Sequence, residues 1–184
     1  MEAIQNVDSG FTVFITKDRN PFLNGFAEVL QFVGMKGMFI AFAFLIGYFL
    51  YRSCFRVATF AILAVLFVTA ISEGIKHMVR RPRPDQALQV IHETGYSFPS
   101  GHSAVTTCFV TVCILIFRQK WVKIVGVIFT LLMLWSRTYL GVHYLSDVIV
   151  GALVGFVSAV LAWWLVRNYY DVVYDKLFAK TIVR

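Results

Sequence analysis

Five long apolar stretches, separated by short polar segments, constrain this chain more than any other feature of its sequence. They cover residues 35–51, 56–75, 104–118, 121–136 and 147–166. Several of them approach the ~20 residues that an α-helix needs to cross ~30 Å of hydrocarbon. Because 59% of the 184 residues are apolar and only 15% are charged, one soluble core cannot hide all of the apolar surface. The pattern predicts an all-α polytopic transmembrane helix bundle with about five spanning helices.

The first 34 residues are more polar than the stretches that follow, and Asn20-Pro21 divides them. Apolar side chains recur at helical spacing between Phe22 and Val33, beside polar ones. This spacing predicts an amphipathic helix that lies in the membrane interface, and the alternative is a sixth, unusually polar spanning helix. The predicted organisation is an N-terminal interfacial segment (1–34), a transmembrane domain (35–170) and a cytoplasmic tail (171–184).

Basic residues are distributed unevenly between the two predicted faces of the membrane. Nine of the 17 basic residues but only two of the ten acidic residues fall on the face opposite the polar segments 76–103 and 137–146. The excess of Lys and Arg marks that face as cytoplasmic, so both polar segments are expected to face the periplasm or exterior. Because flanking residues of this kind account for the net charge of +7, the expected partner is the lipid bilayer and not nucleic acid.

Three groups of polar residues fall on the predicted outer face. They are Lys76 with Arg83-Pro84, then Pro99-Ser100-Gly101-His102, and then Ser136-Arg137 with His143 and Asp147. The three cations among them are suited to phosphate oxygens, and the helix start after Ser100 offers free N–H groups to an anion. His143 and Asp147 are four residues apart, so they can touch if the last predicted helix begins at or before His143. These residue types favour an anionic substrate over a metal ion, which the cations would repel.

The three groups resemble the motifs of the type 2 phosphatidic acid phosphatase superfamily, in the same order and spacing. The resemblance covers residues 76–147 directly, and the helix layout extends it over most of the chain. It implies a two-step hydrolysis of phosphate that needs neither metal nor cofactor. In this family the third-motif histidine, here His143, is the nucleophile, Asp147 holds its other ring nitrogen, and His102 protonates the leaving oxygen. The residues implied to bind the phosphoryl oxygens are Lys76, Arg83, Ser100, Gly101 and Arg137.

The resemblance implies that residues 35–170 form the catalytic domain and that the substrate is a lipid phosphate of the inner or plasma membrane. The small size of the chain resembles bacterial members that act on undecaprenyl diphosphate or phosphatidylglycerol phosphate. An outward-facing site favours undecaprenyl diphosphate, which would be converted to undecaprenyl phosphate. Some undecaprenyl diphosphatases of this family carry Asp at the position of Gly101, so phosphatidylglycerol phosphate, phosphatidic acid and lipid A phosphates stay open as substrates.

Two functions of another class remain as alternatives. One is a non-enzymatic lipid-binding or transport protein that retains the fold, and the other is a haloperoxidase that uses vanadate in the same site. Binding alone does not require a nucleophile, which favours the enzyme. The implied mechanism needs one neutral and one protonated histidine at once, so it predicts a bell-shaped dependence of activity on pH.

For two further pairs of residues outside the motifs, the sequence predicts a structural role. Arg80 and Arg81 are expected to anchor the chain at the lipid head groups. Gly151 and Gly155 form a small-xxx-small pair in the last apolar stretch. Such a pair predicts close packing of that helix against a neighbour.

Overall fold

The computed structural model describes residues 2–178, and all regular secondary structure in that range is helical. Its α-helices are α1 (Glu2–Lys17), α2 (Pro21–Phe32), α3 (Met38–Tyr51), α4 (Phe55–Val79), α5 (Gly101–Phe117), α6 (Lys120–Tyr139) and α7 (Leu145–Phe178). The runs long and apolar enough to cross a membrane are Pro21–Tyr51, Phe55–Val79, Lys120–Tyr139 and Leu145–Val173. These features confirm the predicted all-α polytopic bundle.

The first helix long and apolar enough to cross the membrane begins at Pro21, earlier than the apolar stretch at residue 35 predicted. Asn20 caps the N-terminus of α2, where its Oδ1 accepts a hydrogen bond of 2.9 Å from the backbone N–H of Leu23, and Pro21 occupies the first turn. The π-helical segment Val33–Gly37 then joins α2 to α3 without interruption. The predicted boundary at residue 34 therefore falls inside a continuous helix, and the interfacial position of residues 1–34 stays a prediction.

The helix that ends the described range is also longer than its apolar stretch. The apolar run ends near residue 166, yet α7 continues to Phe178, because Arg167, Asn168 and Asp171 are all compatible with a helix that leaves the hydrocarbon. The predicted boundary at residue 170 lies within α7. Residues 179–184 of the predicted tail lie outside the described residues.

The centre of the bundle is α5, whose 17 residues are mostly buried. Close packing against α7 depends on Gly151 and Gly155, because a Cβ atom at either position would overlap the backbone carbonyl oxygen of Ser100 or Ala104. The contact agrees with the predicted role of the small-xxx-small pair. It brings the first turns of α5 and α7 together, which positions the residues described below.

The outer surface of the bundle is apolar along much of its length. Phe44, Leu66, Leu131 and Leu153 are all more than half exposed, although each lies well inside a long helix. A surface of this kind is stable against lipid chains and not against water. It supports a multi-pass arrangement in the membrane.

Candidate active site

The three groups of polar residues meet at one end of the bundle. Lys76 lies in the last turn of α4, and Arg137 in the last turn of α6. Ser100 caps α5, and Asp147 lies in the first turn of α7. Because antiparallel helices alternate in direction, two helix ends and two helix starts share this face, and the loops that carry Arg83 and His143 close it.

His143 lies in the loop between α6 and α7 and is almost completely buried. Its Nδ1 atom is 3.5 Å from Asp147 Oδ2, and its Nε2 atom is 3.2 Å from Arg83 Nη1. Burial, followed by the charges of Arg137 and Arg83, lowers the pKa of His143 well below its ordinary value. The imidazole is therefore neutral near pH 7, and a nucleophilic ring nitrogen requires this form.

Asp147 is fixed on both of its oxygens. Its Oδ1 accepts a hydrogen bond of 2.8 Å from Arg81 Nη1, and its Oδ2 accepts one of 2.9 Å from the backbone N–H of Tyr144. The backbone N–H of Ser100 also donates to the backbone carbonyl of Asp147 at 3.0 Å. The carboxylate beside His143 is thus held in one orientation, and the start of α5 is tied to the start of α7.

The expectation that Arg81 anchors the chain at lipid head groups is wrong. Only 15% of its side chain is exposed, and its Nη2 atom is 2.8 Å from Asp8 Oδ2 in α1. Asp8 also accepts hydrogen bonds from the backbone N–H and the hydroxyl of Ser146. Burial alone would raise the pKa of Asp8, but Ser146 and Arg81 lower it. Arg81 is buried because two carboxylates, Asp8 and Asp147, pair with its guanidinium, which would otherwise be costly to remove from water.

The signal that would have found Asp8 is weak. It is an acidic residue 138 positions before Ser146 in sequence, and nothing in its neighbourhood resembles a motif. Its side chain is nevertheless buried, as is that of Thr12 one turn later. α1 therefore packs against the site and carries part of the support for Asp147.

A second unpredicted carboxylate joins the two arginines that were expected to bind phosphate. Glu93 Oε1 is 2.6 Å from Arg137 Nη2, and Glu93 Oε2 is 3.0 Å from Arg83 Nη1. Burial by itself would raise the pKa of Glu93, but the charges of Arg137 and Arg83 lower it to about 2. Gln31 of α2 accepts a further hydrogen bond of 3.0 Å from Arg137 Nη1. Glu93 therefore lies between the two guanidinium groups as an ionised carboxylate. The oxygens of a phosphate can accept hydrogen bonds from the same two groups in a similar geometry.

The motif around Ser100 forms the N-terminus of α5. The first backbone bond of this helix runs from Ala104 N to Ser100 O at 3.0 Å, so the N–H groups of Gly101 and His102 precede the helical ladder. A Cβ atom at Gly101 would lie 3.9 Å from Lys76 Nζ and 3.1 Å from the end of the Met35 side chain. Glycine thus leaves space where the Lys76 ammonium group approaches the helix N-terminus, and both features attract an anion.

His102 points towards a cavity of about 390 Å³. Its walls include Gln31, Phe32 and Met35 from α2 and the π-helical segment, with Ile91 from the loop before α5. His102 also interacts electrostatically with Arg137, Glu93 and His143. Because Glu28 and Lys36 also line the cavity, its walls are charged as well as apolar.

The arrangement is suited to an anion and not to a cation. Across residues 2–178, no group of three His, Cys, Asp or Glu side chains is placed to hold a metal ion. The side chains that surround His143 instead include two arginines, with a lysine at the adjacent helix start. Chemically, the site can bind phosphoryl oxygens, present a neutral imidazole to phosphorus and supply a second imidazole for proton transfer.

The fold and the site are both found in a known protein family. The family model of the PAP2 superfamily matches residues 57–171. The chain belongs to the PAP2 superfamily. All of the predicted site residues fall within the matched segment, whereas Asp8 and Gln31 lie before it. The chain is a PAP2 membrane lipid phosphatase and therefore a hydrolase of phosphoric esters.

Individual PAP2 relatives give the same assignment. The chain is 30% identical over 182 residues to phosphatidylglycerophosphatase B of Bacillus subtilis, covering 91% of this chain and 85% of that protein. It is 36% identical over 100 residues to undecaprenyl-diphosphatase of Sulfolobus acidocaldarius, covering 50% of this chain and 48% of that protein. The crystal structure of a transmembrane PAP2-type phosphatidylglycerolphosphate phosphatase from Bacillus subtilis superposes with a TM-score of 0.72 at 28% identity, covering 93% of this chain and 88% of that one.

Proposed function

We propose that this chain hydrolyses a lipid phosphate or diphosphate without a metal ion, through a phosphohistidine intermediate at His143. The observation that carries the proposal is the environment of that imidazole. It is buried and neutral, its Nδ1 faces Asp147, and its Nε2 lies beside Arg83. Since the surrounding side chains supply positive charge, the transition state of phosphoryl transfer would gain most of its stabilisation from positioning and electrostatics.

In the proposed first step, His143 Nε2 attacks phosphorus and a P–N bond forms while the P–O bond to the lipid breaks. His102 donates a proton to the leaving oxygen. Asp147 accepts a hydrogen bond from Nδ1 and stabilises the positive charge that develops on the ring. Lys76, Arg83 and Arg137 hold the phosphoryl oxygens, together with the start of α5 at Ser100 and Gly101.

In the proposed second step, water attacks the phosphohistidine and the P–N bond breaks. His102 now acts as the base and accepts the proton of that water. The two steps leave inorganic phosphate and a lipid with one phosphate group fewer, and both histidines return to their starting protonation states. Because the proposed roles require a protonated His102 and a neutral His143, they predict a bell-shaped pH profile.

For the physiological substrate, we propose undecaprenyl diphosphate, which the reaction converts to undecaprenyl phosphate. The similarity to an undecaprenyl-diphosphatase supports this choice, and so do the donors of Lys76, Arg83 and Arg137, which suit the oxygens of a diphosphate. Phosphatidylglycerol phosphate is the second candidate, because the similarity to phosphatidylglycerophosphatase B extends over 91% of this chain. The apolar wall of the cavity beside His102 suits the acyl or prenyl chain of either lipid.

The proposed location is the inner or plasma membrane, with the site facing the periplasm or exterior. The excess of basic residues at the opposite end of the helices supports this orientation. A site at the level of the lipid head groups would receive its substrate laterally from the bilayer. Labelling of single cysteines introduced at Asp85 and at Arg118 in intact cells tests the orientation, since only the former should react with an impermeant reagent.

A panel of lipid phosphates, assayed in identical detergent micelles with excess EDTA, tests the reaction and ranks the substrates. The panel contains undecaprenyl diphosphate, phosphatidylglycerol phosphate, phosphatidic acid and lipid A. Phosphate release that persists in EDTA and vanishes in H143A supports the proposal. Loss of activity in EDTA that added metal restores would overturn the metal-independent mechanism, and a higher kcat/KM for phosphatidylglycerol phosphate would overturn the first choice of substrate.

The same purified protein distinguishes the alternatives of another class. Absence of turnover on every member of the panel would favour a lipid-binding or transport protein. Oxidation of halide after vanadate loading would favour the haloperoxidase. Substrate carrying ³²P tests the intermediate. A label on the protein that survives base and is lost in acid indicates phosphohistidine, whereas a label that survives acid would contradict it.

A further inference from the structure

A cavity of about 860 Å³ lies at the end of the bundle opposite the active site. It is bordered by the first turns of α4 and α6, the last turn of α5 and a middle segment of α7. Arg56 and Lys76 lie on the first and last turns of α4, so a rise of about 1.5 Å per residue separates the two ends by roughly 30 Å. This separation equals the thickness of the hydrocarbon core, so the cavity lies at the other leaflet.

Basic side chains surround this cavity. They are Arg56, Arg118, Lys123 and Arg167, contributed by α4, α6, α7 and the C-cap of α5. Arg56 is 3.4 Å from Asp171 in a largely exposed ion pair. Within the part of the chain whose side chains the structure describes, Arg118, Lys123 and Arg167 have no ion-pair partner. The cavity therefore carries an excess of positive charge that no described carboxylate neutralises.

The remaining walls of the cavity are apolar. Phe60, Ile114 and Val166 line it below the basic residues, and Trp163 adds an aromatic surface. Phe60 and Trp163 also contact each other, with ring centroids 5.4 Å apart. A site with cations at its rim and hydrocarbon along its wall matches a molecule with an anionic head and an apolar tail.

We propose that this cavity binds an anionic phospholipid of the leaflet opposite the active site. The phosphate of the head group lies among Arg118, Lys123 and Arg167, and the acyl chains run along the apolar wall between α4 and α7. Basic pockets between membrane helices recognise anionic head groups in this way, whereas isolated flanking residues act only through the surface potential. The bound lipid is not the substrate, because a membrane thickness separates it from His143, and the proposal stands whether or not the proposed reaction is correct.

Native mass spectrometry of the full chain in neutral detergent, titrated with phosphatidylglycerol, tests the proposal. The cavity variant R118Q/K123Q removes two cations from the rim. The control variant R52Q/K120Q removes two exposed cations from the same end of the bundle but outside the cavity. Phosphatidylcholine and inorganic phosphate serve as probes for the head-group charge and for the phosphate alone, and thermal unfolding of each variant verifies its fold.

We expect wild type and the control variant to bind phosphatidylglycerol alike, with the cavity variant weaker by roughly tenfold or more. Phosphatidylcholine should bind all three proteins equally weakly, and inorganic phosphate should not compete. Equal binding by the cavity and control variants would overturn the proposal, as would competition by inorganic phosphate at the concentration of the lipid. If the double variant fails to fold, the single variants R118Q and K123Q provide the same comparison against R52Q.

Discussion

The two ends of the helix bundle place the same types of residue in opposite environments. At the active-site end, Arg81, Arg83 and Arg137 are at most 15% exposed, and each contacts a carboxylate. At the other end, Arg118 and Lys123 are exposed and contact no described carboxylate. Removing a guanidinium from water is costly unless a charged partner repays the cost, so burial at one end must serve a purpose that the other end does not require.

The position of a charge in the bundle therefore determines what that charge can do. Buried arginines with fixed partners keep a defined geometry, and the low dielectric strengthens their effect on a bound phosphoryl group. At the opposite end, Arg118 and Lys123 have no such fixed partner among the described side chains, and solvent screens their charge. Substitutions at the two ends should therefore have very different consequences.

Replacing His143 by Ala should abolish turnover. The substitution removes the proposed nucleophile, and a decrease in kcat of roughly a thousandfold or more is expected for the loss of such a group. The measurement is kcat on undecaprenyl diphosphate and on phosphatidylglycerol phosphate in micelles. His77→Ala is the matched control, because the His77 side chain is 70% exposed and its loss should leave kcat nearly unchanged. Substantial residual turnover in H143A would contradict the assignment of His143 as the nucleophile.

Replacing Arg81 by Gln should lower kcat by roughly ten- to a hundredfold with little change in KM. Arg81 does not touch the reacting atoms but orients Asp147, and small misplacements of a catalytic group have effects of this size. Asp8→Asn should reproduce part of the decrease, because it removes the charge that holds Arg81. R81K should restore little, since an ammonium group cannot replace the planar fork that bridges the two carboxylates.

The adjacent Arg80 provides the control for Arg81. Its side chain is exposed, and among the described residues it donates only to the backbone carbonyl of His77. R80Q removes the same charge one residue away and should keep kcat within about twofold, the range of an ordinary surface substitution. Equal effects of R80Q and R81Q would mean that general positive charge matters, and not the contact with Asp147.

Replacing Glu93 by Gln should lower thermal stability at neutral pH. The pKa of Glu93 falls from 4.5 to about 2 in the folded chain, so its ionised form stabilises the fold above pH 4.5. Loss of this contribution should reduce Tm by roughly 5–10 °C for a chain of this size. As pH falls from 4.5 towards 2, the wild type also loses the contribution, so the difference in Tm should narrow.

Glu28→Gln is the appropriate comparison for this stability measurement. Glu28 is exposed and forms no ion pair among the described side chains. The Tm of E28Q should therefore remain close to that of wild type at every pH. A constant difference between E93Q and wild type across the acid range would show that the charge of Glu93 is not the cause.

The double variant R118Q/K123Q should change kcat by less than about twofold on a short-chain lipid phosphate in neutral detergent. Both side chains are exposed and lie about a membrane thickness from His143. The measurement uses the conditions of the H143A assay so that the two ends are compared directly. A decrease in kcat similar to that of R81Q would remove the distinction between the two ends.

The location of Arg83, His143 and the other motif residues at one membrane face could be predicted from the sequence, because it follows from the direction of the helices. The partners of those residues could not. Glu93 lies in a loop without periodicity, and Asp8 is 138 residues from Ser146. The burial of Arg81 is not predictable from its neighbours in sequence for the same reason, since burial depends on which distant segments cover a side chain.

Apolar runs and motif spacing were enough to predict the membrane helices and to place the motif residues at one face, because the bilayer sets the length of the runs and motif spacing is local. Three features became visible only in the folded bundle: α1 supports the site through Asp8, Glu93 bridges Arg83 and Arg137, and four basic residues surround a cavity at the opposite end. Those contacts join segments far apart in the chain. Burial and charge pairing are properties of the packed bundle, and the local sequence does not encode them.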